Sequence, residues 1–170
     1  MVTPKLAAIA AALIATVGLA VASIPSAAAA THMQCQPQYI DGAGLNAWCR
    51  WYSDIGYHAY AEFDIYQQSL QESGANVWGE VYFGADIPFA WHWNVYTQQC
   101  VPGNIPASCG TMAANGGDFP ATRSDFSGQD SAKSNSFGHV YRACGSAVEY
   151  NTDGSVRWEV LNVCSPFIAN

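Results

Sequence analysis

Apolar and polar positions alternate along much of the chain beyond residue 30, and period two marks a strand with one face buried. Tyr57 to Tyr66 shows the pattern best, with Ala59, Ala61, Phe63 and Ile65 on one side and His58, Tyr60, Glu62, Asp64 and Tyr66 on the other. Asn76 to Phe83 repeats it, setting Val77, Val81 and Phe83 opposite Trp78, Glu80 and Tyr82. Trp48 to Tyr52 reads as a short aromatic strand, and Ala90 to Thr97 as another that carries Trp91, His92 and Trp93. Polar Gln67 to Asn76, with Gly74, is a connection. Gly110 to Gly138 is rich in Gly, Asn, Ser and Asp and has no sustained period, so it is expected to be a long functional or mobile loop. His139 to Cys144 and a hairpin ending at Cys164 complete the chain. Seven or eight strands with no convincing helix predict a single all-β domain, a sandwich or a small barrel.

The first thirty residues follow a different pattern. Lys5 precedes an uncharged run from Leu6 to Ile24, and Pro25-Ser26 and Ala28-Ala29-Ala30 follow it. A short positive region, an apolar stretch and small residues at the −3 and −1 positions are the marks of a secretory signal peptide. The run is also long enough to be a membrane anchor, but its alanines and the A-x-A site favour cleavage after Ala30. The expected division is therefore 1–30 signal peptide and 31–170 secreted β-rich domain, extracellular or periplasmic, with no membrane segment after cleavage.

Composition sharpens this picture. All six Trp, nine Tyr and seven Phe lie beyond the leader, and aromatic enrichment favours strands. Without Lys5, five Lys/Arg face thirteen Asp/Glu, a net of −8. Nucleic-acid binding rests on cationic contacts to phosphate, so an acidic chain without a basic cluster argues against it, and anionic membrane surfaces are disfavoured for the same reason.

The six cysteines also lie past the leader, and an even number in an exported chain reads as three disulfides. No C-x-x-C pair or paired histidine spacing suggests a metal, and no cofactor motif is present. Cys100 and Cys109 bracket a Pro- and Gly-containing turn, which suits a local staple. Residues 144–164 read as a hairpin about Asp153-Gly154. A two-residue turn would oppose Glu149 to Trp158 and Val148 to Glu159, mixing apolar and charged side chains. A three-residue turn pairs Tyr150 with Trp158, Val148 with Val160 and Cys144 with Cys164, and is the expected register. It costs a Glu149–Glu159 like-charge pair, and a bulge at Gly145 could relieve strain at the bridge or allow another register. Cys35–Cys49 follows by elimination.

Three candidate sites emerge. His58, Glu62 and Asp64 share one strand face, and His92 could join them from a neighbouring strand, a set suited to acid–base work. Trp78, Glu80 and Tyr82 share another face, where aromatic rings beside a carboxylate suit stacking on sugars or anchoring a protein. Trp91 and Trp93, in line with Val95, are better read as core. Asp118, Asp125 and Asp130 in the 110–138 loop match no calcium-binding spacing and are expected to be solvated. Neither Ser124-Asp125 nor the four histidines form a nucleophile motif. These features lead to an expected extracellular binding or inhibitor module that contacts carbohydrate or protein through the aromatic face or the 110–138 loop. A small secreted hydrolase centred on His58, Glu62 and Asp64 and a structural cell-surface protein are the alternatives.

Overall fold

A computed structural model describes residues 32–53, 59–84, 89–120 and 125–169. The expected signal peptide, His58 and Ser124 lie outside the described residues. The described chain is all strand and turn. Strands β1 (His32–Asp41), β2 (Gly44–Tyr52), β3 (Tyr60–Gln67) and β4 (Asn76–Gly84) are followed by β5 (Ala90–Cys100), β6 (Gly110–Phe119), β7 (Asp125–Gln129) and β8 (Lys133–Ser134). The chain ends with β9 (Val140–Tyr150), β10 (Val156–Cys164) and β11 (Ile168–Ala169). Two antiparallel sheets result. The first runs β1-β2-β3-β4-β7 with β8 also on β4, and the second runs β10-β9-β5-β6 with β11 on β9. The architecture is a β-sandwich.

Alternation decides which residues lie between the sheets. Leu45, Ala47 and Trp51 from β2, Ala61, Phe63 and Ile65 from β3, and Val77, Val81 and Phe83 from β4 are buried in one core with Trp91, Trp93, Val95 and Trp158. Trp91 and Trp93 are core residues. Removing a fully buried side chain such as Phe63 from water contributes roughly 1.5–3 kcal/mol, so these inward positions fix the register of each strand.

The strand β1 gave no periodic signal because it lies at the sheet edge with nearly all its residues exposed. Its pairing with β2 slips between Gln36 and Tyr39, around Pro37, which has no N–H to donate to a ladder. Cys35 and Cys49 face each other across this pair and are bridged. The other bridges are Cys100–Cys109 and Cys144–Cys164. Three disulfides in a small β-domain are typical of extracellular proteins.

Two expectations need correction. Residues 110–138 are not a solvated loop, because β6 pairs with β5 and β7 and β8 pair with β4. Their glycines and asparagines mask the pattern, since β6 is an edge strand with most of its positions exposed. Asp130 is 3% exposed and clamps the two sheets together. Its carboxylate accepts the Gly79 N–H at 3.0 Å from β4, and the Thr97 N–H and hydroxyl at 2.6 and 2.7 Å from β5. Gly79 makes this possible, because a Cβ there would sit 3.1 Å from Thr97 Oγ1, 3.2 Å from the Ala143 Cβ and 3.3 Å from Asp130 Oδ2.

The second correction concerns the terminal hairpin. Cys144 does oppose Cys164, but Trp158 opposes Glu149 and Val160 opposes Ala147, with bulges on both sides. The mixed pairing disfavoured on sequence grounds is adopted because Arg157 Nη1 meets the fully buried Glu149 carboxylate at 2.7 Å. The same guanidinium lies 3.9 Å over the Phe89 ring. The Glu149–Glu159 clash is thereby avoided, since Glu159 opposes Val148. The slip between Val160 and Val163 restores the cysteine pairing.

Candidate functional site

In most sandwiches the outward face of a sheet is polar and exposed. The first sheet departs from this. Strand register aligns Gln36, Trp48, Asp64, Glu80 and Gln129 in one row across its outer face, with Gln34, Arg50, Glu62, Tyr82 and Ser127 in the next. Tyr39, Asn46, Tyr66 and Trp78 form a third row, and Tyr52 with Tyr60 begins a fourth. Seven aromatic rings from β1 to β4 thus surround three carboxylates and a single arginine. Alternation places them together: every even-numbered residue of β2, β3 and β4 points away from the core.

The rings lie over the polar groups. Tyr66 donates its hydroxyl to Asp64 Oδ2 at 3.2 Å, two residues back on its own strand, so its ring runs along the sheet and covers the acid. Trp78, opposite Tyr66, lies nearly parallel to it, with centroids 5.5 Å apart and an interplanar angle of 13°. Beneath them Asp64 is 3% and Asn46 1% exposed, although both point outward. One oxygen of each, Asp64 Oδ1 and Asn46 Oδ1, has no hydrogen-bond partner.

Electrostatics follow from this burial. Desolvation first, and then the charge of Glu62, push the Asp64 carboxyl up to about 8, with Glu80 adding to the rise and the Tyr66 hydroxyl opposing it. Tyr66 is itself raised to about 12, mainly by burial and then by Asp64. Tyr82 is raised by burial and by its hydrogen bonds to Tyr66 and Glu80. Glu62 is compensated: Arg50 Nε donates to Oε2 at 2.5 Å, and the guanidinium rests 4.4 Å over Tyr60 and 5.5 Å from the Trp48 ring.

Each candidate residue now has a place. Trp78, Glu80 and Tyr82 lie on this outer face, half-buried, alongside Glu62 and Asp64. His92 does not join them. It projects from the outward face of the second sheet, across the sandwich, and its Nδ1 lies 2.8 Å from Asp118 Oδ1. Sequence reasoning missed Asn46, Trp48, Arg50 and Tyr66 as members of the set. The alternation of Trp48, Arg50 and Tyr52 was visible, but not that β2 lies beside β3. Among the described residues, no three His, Cys, Asp or Glu side chains are disposed to hold a metal ion. A separate hollow of about 250 Å³, lined by Gln99, Ser108, Gly110, Thr111, Met112 and His139, lies beside the Cys100–Cys109 loop. Its lining has the His139 imidazole but no Trp, Tyr or Phe ring and no carboxylate.

Fold and face together define a disulfide-stapled β-sandwich with an aromatic, carboxylate-bearing platform on one outer surface. Comparison of the chain with protein-family models, with curated proteins and with solved structures finds no match.

Proposed function

We propose that the protein is a secreted glycan-binding module whose ligand lies along the outer face of the first sheet. The observation that carries this reading is the stacked, half-buried Tyr66–Trp78 pair beside Glu80 and Tyr82. Pyranose rings present C–H faces that stack on such rings and hydroxyls that donate to carboxylates, so a platform of alternating rings and acceptors recognises a sugar chain. A rigid, stapled sheet also keeps its platform ordered before binding, which lowers the entropic cost of holding a ligand. Binding is favoured over hydrolysis because Glu62 is engaged by Arg50, Asp64 is covered by Tyr66, and His92 is on the other side of the sandwich.

The test is calorimetric titration of the purified protein against a panel of hexasaccharides, with reducing-end release measured in parallel. Saturable binding that Trp78→Ala weakens at least tenfold, with an unchanged circular dichroism spectrum, is the expected outcome. Half-exposed Trp78 contributes little to the core, so the variant should keep its fold. Turnover of an oligosaccharide would replace this reading with catalysis, and silence across the panel would end it.

A further inference from the structure

The outer face of the first sheet holds more carboxylates than it neutralises. Glu62, Asp64 and Glu80 occupy adjacent cross-strand positions, since Arg50 pairs with Glu62, Glu62 precedes Asp64 by two, and Asp64 opposes Glu80. Among the described residues Arg50 is the one cation beside them and is committed to Glu62. Among the described residues Glu80 has no cationic partner, so its charge is not neutralised on this face.

On this face two buried oxygens, Asp64 Oδ1 and Asn46 Oδ1, have no hydrogen-bond partner, and the Asn46 oxygen can only accept. A ligand that completes this face must therefore bring donors, and one bringing positive charge also pairs with Glu80. The rings agree, because an aromatic face attracts a cation as well as an apolar C–H surface. The Arg50 guanidinium already sits over Tyr60 in this way.

Resting on the glycan-binding reading above, we infer that the ligand is a cationic glycan, a chain of hexosamine units with free amino groups, whose ammonium groups are received by Glu80 while Trp78 and Tyr66 stack on the sugar rings. The ammonium contact is made at half-exposed Glu80, and Asp64 stays covered by Tyr66. Because carboxylate–ammonium attraction at a surface is screened by salt, the preference should shrink as ionic strength rises.

The deciding experiment compares three probes by calorimetry in mildly acidic, low-salt buffer: a β-1,4-glucosamine hexamer, its fully N-acetylated form and cellohexaose. The amino hexamer should bind about tenfold more tightly than either neutral one, and Glu80→Gln should bring its affinity down to that of cellohexaose for the same variant. An unchanged circular dichroism spectrum shows that the variant is folded. Equal or tighter binding of the neutral hexamers would overturn the cationic assignment and leave the glycan reading standing. Failure of all three to bind would overturn both.

Discussion

Replacing Asp64 with asparagine isolates the cost of holding a carboxyl under aromatic rings. In the unfolded chain Asp64 titrates near 3.8, whereas in the fold it is held up to about 8. Between those values the native state keeps a proton that the unfolded state has released, so stability falls as pH rises through the window. The contribution is fully present below the unfolded value and is lost on approaching the folded one. At neutral pH the accumulated cost is about 4 kcal/mol, an upper figure because water penetration and side-chain relaxation soften the burial. Asparagine preserves shape and can still accept from Tyr66, but it does not ionise. Urea unfolding of both proteins from mildly acidic to slightly alkaline pH measures the effect. Asp130, also raised mainly by burial, titrates in both, so the quantity to read is the difference between them. Asp64→Asn should gain on the wild type progressively with pH, reaching a few kcal/mol at neutrality. Parallel curves would refute the burial of an ionisable Asp64.

Other predictions follow from the interior. Asp130→Ala leaves two backbone N–H groups without an acceptor at the junction of the sheets, at about 1–3 kcal/mol each; urea unfolding should show a loss of roughly 3 kcal/mol, and a loss under about 1 would show that the clamp is dispensable. Arg157→Ala removes the ion pair from the fully buried Glu149 carboxylate and should cost about 3–5 kcal/mol. Adding Glu149→Gln to that variant should recover much of the loss, and a double variant no more stable than the single one would contradict the ion-pair account.

The sandwich was legible because its inward residues are apolar and alternate: Ala61-Phe63-Ile65 and Val77-Val81-Phe83 could only be strands with one buried side. What stayed hidden has a common cause. Edge strands β1 and β6 bury little, so no period marks them, and Asp130 looked solvated because nothing nearby in sequence announced Gly79 and Thr97 as its donors. The hairpin register misled because opposing Glu149 to Trp158 is unfavourable until Arg157 and Phe89 enclose the charge, a contact made across the chain. The candidate site was half visible. Trp78, Glu80 and Tyr82 share a strand, and so do Glu62 and Asp64, but only the order β2-β3-β4 shows that these form one surface with Trp48 and Arg50.

The location of the ligand surface is tested most directly by following backbone and indole N–H resonances while titrating the labelled protein with a bound hexasaccharide. Shifts should concentrate on residues 46–52, 60–66 and 78–82 and on the Trp48 and Trp78 indoles, with β5 and β6 unmoved. Shifts centred instead on His92 and Asp118, or on the hollow beside Cys100–Cys109, would contradict a glycan platform on the first sheet.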